Sequence, residues 1–263
     1  MIIYIPTYKR TSEQLTYKGL PEDWKDRAVL VCPKEDENAL KFYNKNAHII
    51  VQPDGLATIA AKRAWIIANC VDDKMVMMDD DLVFAMRKPG KEDDGKLVRC
   101  ERNCKRLSGF LGELDDYLDN YAHAAISPRQ GNNRMENGWH ETKRAIYAWG
   151  FNTKIAQEEL QLGRIQCRED MDYTLQLLRK GYNNIVGYEC AVDQKKFDAP
   201  GGCKEERSME LSNEEAEKLA KLHEGYVKVV EKDYKSSVPR KEVIVQWKRA
   251  YNDALEGLTN APV

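Results

Sequence analysis

Three consecutive carboxylates, Asp79-Asp80-Asp81, stand directly behind the strand-like run Lys74 to Met78. Crowding three acids costs repulsion unless a cation neutralises them, and hard oxygen ligands of this kind suit Mg2+ or Mn2+. Alternate side chains of an extended segment point the same way, so Asp79 and Asp81 are expected to act together while Asp80 faces elsewhere. A solvated acidic turn would have the same composition. A second block, Arg168-Glu169-Asp170-Met171-Asp172, falls where a helix begins. The positive end of the helix dipole favours carboxylates there, which is enough for plain N-terminal capping. If Asp170 faces the cleft of Asp79 and Asp81, it can also take a proton from an acceptor hydroxyl. The third block, Pro6-Thr7-Tyr8-Lys9-Arg10, follows the first apolar run, the place where open α/β sheets bind nucleotides. There Thr7 offers a hydrogen bond, Tyr8 a ring for a base and Arg10 a cation for a phosphate or base edge.

The elements that would position these blocks are legible as alternating patterns. Ile2 to Ile5, Ala28 to Cys32 and His48 to Val51 are short β-branched runs, each stopped by a proline (Pro6, Pro33, Pro53), as expected of parallel strands with functional loops at their C-terminal ends. Ser12 to Tyr17, Glu35 to Asn44 and the Ala- and Ile-rich Leu56 to Asn69 have helical composition, the last with Lys62 and Arg63 on an expected exposed edge. The order strand, helix, strand, helix, strand, helix, strand, acidic loop is that of a doubly wound α/β start.

After the triplet, charge and glycine predict a mobile loop to about Gly95, followed by a helix from Arg106 to Asn120 and a strand from His123 to Ser127. Pro128 to Lys143 reads as a long functional loop. Ala145 to Gly150 is strand-like and Thr153 to Leu162 helical; the helix opened by Glu169 ends at Gly181, suited to a left-handed cap. Asn184 to Tyr188 is the last expected strand. Ser212 and Glu215 have the spacing of a capping box for a helix to about Lys232, and a further helix is expected over Glu242 to Leu255.

The 263 residues, 42% hydrophobic and 32% charged, are long enough for one sizeable α/β domain and describe an ordinary globular chain. No apolar run approaches a membrane span, and Met1 leads straight into a β-like segment, which predicts no membrane association and a cytoplasmic location. Seven scattered cysteines without a CxxC pair fit reduced thiols; Cys100 and Cys104 have one-turn spacing, but no second ligand pair follows them. The net charge of −2 does not announce a nucleic-acid binder. Locally, though, eight basic residues face four acidic ones between Arg87 and Arg106, and Arg129, Arg134, Lys143 and Arg144 follow in a polar stretch that can meet phosphates or simply be solvated.

Taken together, the P-T-Y-x-R loop, the D-x-D behind the fourth strand and the E-D pair opening a later helix resemble the GT-A glycosyltransferases over roughly residues 1 to 200. The resemblance implies a Rossmann-like, mostly parallel sheet flanked by helices over 1–203, with a C-terminal helical extension, 204–263, packed on it. It implies a nucleotide diphosphate sugar donor, UDP-linked by preference and carrying a hexose or pentose. Pro6, Thr7, Tyr8, Arg10, Arg63, Asp79 and Asp80 would bind the donor, and Asp79, Asp81 and Asp193 would hold Mn2+ or Mg2+. Asp170, with Glu169, would be catalytic. Arg129, Trp149 and Gly150 would meet the acceptor, Trp149 being alternatively a core aromatic. More narrowly, IPTYKR, MMDDDL, SPRQGNNR and the run Asp193 to Cys203 resemble the phage glycosyltransferases associated with TET/JBP-type pyrimidine oxygenases. That likeness implies a 5-hydroxymethylpyrimidine in DNA as acceptor and, for a phage-encoded chain, the host cytoplasm. In the run after the last strand, where a histidine often serves as a further ligand, Asp193 or Asp198 would substitute, and Gly201-Gly202 could be a hinge.

Other readings fit parts of the pattern. Asp79, Asp81 and Val83 also resemble the D-x-D-x-V nucleophile motif of HAD phosphatases, although three strands precede it here. A non-catalytic nucleic-acid-binding module would use the basic patches, and within the transferase reading a polysaccharide or protein acceptor is an alternative.

Overall fold

A computed structural model describes residues 1–194, 208–232 and 239–259. The chain runs β1 (Ile2–Pro6), α1 (Leu15–Gly19), α2 (Glu22–Lys25), β2 (Ala28–Cys32), α3 (Glu37–Tyr43), β3 (His48–Val51), α4 (Ile59–Asn69) and β4 (Lys74–Met78). It continues through β5 (Leu82–Arg87), β6 (Leu97–Arg99), α5 (Lys105–Asn120), β7 (His123–Pro128), β8 (Trp139–Glu141) and β9 (Ala148–Asn152). Next come α6 (Thr153–Glu159), α7 (Glu169–Leu178), β10 (Asn184–Gln194), α8 (Met209–Leu222), β11 (Val227–Lys232), β12 (Arg240–Val245) and α9 (Trp247–Thr259).

The first nine strands and β10 form one sheet in the order β3-β2-β1-β4-β9-β7-β10-β5-β6, with β8 also paired to β10. The expected α/β class holds, with a qualification on direction. The half built from β3, β2, β1 and β4 is parallel, whereas β9 runs antiparallel to both β4 and β7, and β5 antiparallel to β10. Side-chain alternation sorts the strands onto two covered faces. Ile3, Ile5, Val76 and Met78 pack with Phe110, Leu111 and Leu114 of α5, while Tyr4, Met75, Met77, Trp149 and Phe151 pack with Ile66 and Ile67 of α4 and Tyr173 and Leu177 of α7. A sheet covered on both sides explains why these strands are apolar throughout.

Two sequence expectations change. Leu82 to Arg87 is strand β5 rather than the start of a mobile loop; its apolar run LVFAM is the inner part of the sheet, and only the charged residues behind it are a loop. Beyond α7, α8 is capped by Ser208, whose hydroxyl accepts from Leu211 N, so Ser212 and Glu215 lie inside the helix instead of forming its cap. The β-branched sequences VKVV and EVIV then form the antiparallel pair β11 and β12, so the C-terminal unit is not purely helical. It meets α7 through Ile165, Met171, Leu175, Leu178, Leu219, Val227 and Ala250. Gly181 does adopt the left-handed conformation behind α7 (φ 84°). Among the described residues no helix is long and apolar enough to cross a membrane.

Candidate active site

The acid triplet is the tight connection between β4 and β5, and neighbouring segments fasten its backbone. Asp79 N donates to Tyr147 O at 3.0 Å and Thr16 N to Asp80 O at 3.2 Å. The buried Thr16 hydroxyl donates to Asp79 O and accepts from Leu82 N. Thr16 was not singled out from the sequence, since nothing local marks a helical threonine as the pin of a turn 63 residues away.

With the backbone fixed, the three carboxylates take different partners. Asp80 accepts from Thr7 Oγ1 at 2.7 Å and from Arg10 at 2.8 Å, and burial pushes its carboxyl up to about 6 in spite of both donors. It anchors the first loop and has no free edge for a donor. Thr7 is likewise committed: its hydroxyl donates to Asp80, accepts from Gln14 Nε2 at 2.7 Å and is buried. The expected donor contacts of Asp80 and Thr7 are therefore replaced by a structural role, and Pro6 is buried in β1 beside Val31. Arg10 bridges Asp80 and Asp81, 2.8 Å from each. Asp79 is held by Arg63 and by Gln194 Nε2, the latter at 3.0 Å.

Arg63 is the centre of the site. It is nearly buried on α4, where an exposed edge was expected, and it joins Asp79 to Glu169 across the cleft with its guanidinium carbon 5.3 Å from the centroid of the Trp149 ring. A cation enclosed this way cannot reach out to a phosphate; it ties the triplet to the start of α7 and balances two carboxylates. Lys62 is buried too, its ammonium donating to Thr7 O at 2.8 Å. Trp149, expected as an acceptor platform, is 1% exposed in the core beneath Arg63, with Phe151 and Tyr173 against it. Gly150, also expected to meet the acceptor, is buried beside it. A Cβ there would lie 2.3 Å from Met75 O, so glycine is what lets β9 close against β4.

Asp170 follows Glu169 at the positive end of α7, half-buried, and burial raises its carboxyl while Arg144 and Arg63 oppose the rise and Glu169 adds to it. Its carboxylate has a backbone hydrogen bond with Met171 and, among the described residues, no side-chain hydrogen-bond partner. Tyr147 marks the same space: burial raises its hydroxyl, Arg144 opposes, and the charges of Asp79, Asp170 and Asp193 all reach it. Its backbone is left-handed (φ 68°), an unfavourable conformation for a tyrosine, and its carbonyl is the one that holds Asp79. Arg144 and Tyr147 join the site only through folding. Arg129 is exposed at the rim, 3.7 Å from Asp193.

A cavity of about 290 Å3 opens at the tips of β1, β2 and β3 and the start of α4, connected to the triplet through Lys62, which donates to Thr7 O, and Thr7, which donates to Asp80. Tyr8, Pro33, Glu35, Gln52, Pro53, Asp54, Thr58 and Lys62 contribute to its wall. Gln52 is 7% exposed; its Nε2 donates to Leu56 O, which fixes the amide orientation and leaves Oε1 buried without a partner. Such an acceptor lacks only an N–H from a ligand.

For a divalent cation the pair Asp79 and Asp81 offers one open oxygen among the described residues, since both Asp79 oxygens are taken by Arg63 and Gln194 and Asp81 Oδ2 by Arg10. Asp81 Oδ1 is buried and unpartnered, and burial and the Asp79 charge together raise the Asp81 carboxyl, a strain that a cation relieves. Among the described residues no group of three or more acidic, histidine or cysteine side chains converges, so Asp193 does not complete a ligand set; it pairs with Arg129. Two carboxylates supplemented by phosphate oxygens and water are the usual arrangement for Mg2+ on a nucleotide. Asp198, Gly201, Gly202 and Cys203 lie outside the described residues. Arg87, counted in a basic patch, is fully buried and donates to the carbonyls of Tyr188, Glu92, Asn132 and Met135, so it staples loops and meets no phosphate.

The profile of the TET-Associated Glycosyltransferase family matches residues 1–202. The chain is 28% identical over 228 residues to a Beta-glucosyl-HMC-alpha-glucosyl-transferase of Enterobacteria phage T6, covering 82% of this chain and 78% of that protein. It is 27% identical over 227 residues to the protein of the same name from phage T2, with the same coverage. Among solved structures, S. aureus TarS 1-349 in complex with UDP-GlcNAc superimposes with a TM-score of 0.55 at 13% identity, over 84% of this chain and 66% of that one. Another crystal structure of TarS 1-349 gives 0.51 at 10% identity. At such identities the likeness concerns the fold, and the chain spans 66% of the length of those structures.

Proposed function

The chain belongs to the TET-associated glycosyltransferases, and from that premise we propose that it moves a sugar from a nucleoside diphosphate donor, UDP-linked, to the hydroxyl of a 5-hydroxymethylpyrimidine in DNA. The observation that carries the reading is the union, through one buried Arg63, of the β4–β5 carboxylates with the Glu169-Asp170 pair, on a sheet whose β1, β2 and β3 tips open a cavity of about 290 Å3. The acceptor is supported by the names of the T6 and T2 relatives, in which HMC appears, and the donor by the UDP-GlcNAc held on the same fold in TarS.

In this reading the base enters the cavity against Tyr8, and Gln52 Oε1 accepts the imide N–H of uracil. Glu35 and Asp54 on the wall would meet the ribose hydroxyls. Asp79 and Asp81 would hold Mn2+ or Mg2+ against the diphosphate; when bound, such an ion stabilises the charge that builds on the departing nucleotide. Arg63 keeps Asp79 aligned. Asp170, its carboxyl raised by burial and standing at the helix start, takes the proton of the acceptor hydroxyl as the sugar carbon is attacked. Arg129 and Arg144 at the rim face the polyanionic acceptor.

The test is incubation with Mn2+ and a panel of UDP- and GDP-sugars, with DNA carrying hydroxymethylcytosine or its glucosylated form, followed by nucleoside mass spectrometry. A sugar-shifted nucleoside that disappears with EDTA and in Asp81→Ala is expected. Donor turnover without a DNA product would reject the acceptor; no donor turnover would reject the whole reading.

A further inference from the structure

α7 carries Glu169 and Asp170 yet begins without any side-chain cap, and the residue before Glu169, Arg168, is left-handed (φ 67°, ψ 27°). An arginine does not hold that conformation unless its surroundings over-determine it. The determinants all come from the C-terminal unit. The Arg168 guanidinium donates to Ser212 O at 2.7 Å, to Ser212 Oγ at 3.3 Å and to Lys241 O at 3.2 Å. These acceptors are uncharged, so the contacts fix geometry and neutralise nothing. Just upstream, Gln166 N and Cys167 N both donate to Glu215 Oε2 of α8, at 2.5 and 3.4 Å, and Glu215 is 5% exposed. Just downstream, Asp172 is fully buried between Arg164 and His223, which ends α8 and lies 2.7 Å away.

The segment 164–172 is thus gripped before, at and after the turn by Ser212, Glu215, His223 and Lys241. Apolar packing of Leu219, Val227 and Ala250 on α7 already docks the unit. The polar grip is a separate layer aimed at one backbone turn. We propose that the C-terminal unit is a clamp that sets the catalytic pair: Arg168 is a positioning residue, seated by Ser212 and Lys241, with Glu215 holding the approach and His223 the exit. The proposal rests on Asp170 acting on the acceptor.

The discriminating variant is Arg168→Gly, which keeps the left-handed turn without strain and removes only the guanidinium grip; Glu215→Gln, Arg168→Lys and the packing control Leu219→Ala accompany it. Expected for Arg168→Gly is a fall in kcat on the order of 100-fold, a donor KM within about twofold of the parent, and faster hydrogen exchange of amides 166–172. Arg168→Lys should recover part of the loss. Leu219→Ala should lower Tm at least as much while keeping kcat within about threefold where the protein is folded. The clamp is overturned by unchanged exchange in Arg168→Gly, by parental kcat in that variant, or by an equal kcat loss in Leu219→Ala. Because exchange is read without substrate, accelerated exchange together with a wild-type protein that transfers nothing would uphold the clamp and reject the acceptor reading instead.

Discussion

Replacing Arg63 by methionine keeps the bulk of the side chain and removes the charge that separates Asp79 from Glu169. Both carboxylates then face each other in a poorly hydrated place, and stripping one partner from a buried pair costs about 3–5 kcal/mol. For a chain of this length each kcal/mol moves Tm by roughly 2–4 °C, so a fall on the order of 10 °C is expected by circular dichroism. The structure also says which compensation works. The Glu169 side chain is 2% exposed and that of Asp79 19%, so water screens Asp79 and hardly reaches Glu169. Arg63→Met combined with Glu169→Gln should therefore regain about 2 kcal/mol or more, and the combination with Asp79→Asn distinctly less. All three proteins should be inactive, because Asp79 and the Glu169 start of α7 lose their common brace. If Arg63→Met loses less than about 1 kcal/mol, or if Glu169→Gln adds its own penalty to that of Arg63→Met, the buried bridge is not what joins the two halves of the site.

Asp81→Asn should abolish metal-dependent transfer by at least about 100-fold while leaving Tm unchanged or a few degrees higher, since burial and Asp79 already disfavour the ionised form; thermal melts beside transfer assays check both halves, and a clear fall in Tm would contradict it. Gln52→Leu should raise KM for a UDP-sugar by about tenfold, the worth of one hydrogen bond, with kcat little changed; unaltered KM in steady-state kinetics would remove Gln52 from base recognition. His123 is buried against Gly150 O and Thr174, and burial pushes it down to about 4. A depressed histidine gives stability that is complete above the unfolded value near 6.5 and is lost as the pH falls toward 4, by roughly 3 kcal/mol here. Urea titrations at pH 7 and pH 4 should show that loss in the parent and a smaller one in His123→Gln; parallel losses would refute it.

The sequence by itself determined the elements whose signals are local. Strands β1 to β4 and the α7 start sit within a residue or so of their expected places, because β-branched runs ended by proline and an acidic helix start need no distant partner to be recognised. The same locality put the triplet on a strand end and the Glu169-Asp170 pair on a helix end. Local patterns also misled: the charge after Arg87 hid β5, and the helical composition of the C-terminal segment hid β11 and β12, whose stability comes from pairing with each other.

Which side chain does what was decided only in three dimensions. Arg63 meets Glu169 across 106 positions, Thr7 meets Asp80 across 73, and Gln194 meets Asp79 across 115. Those meetings turn Thr7 and Asp80 into anchors, sink Trp149 and Gly150 into the core and leave Asp81 Oδ1 and the Asp170 carboxylate without a side-chain partner among the described residues. Sequence reveals that carboxylates are present and roughly where the chain turns. Their ionisation, partners and free edges depend on burial and on charges brought from distant segments, and these exist only once the chain has folded.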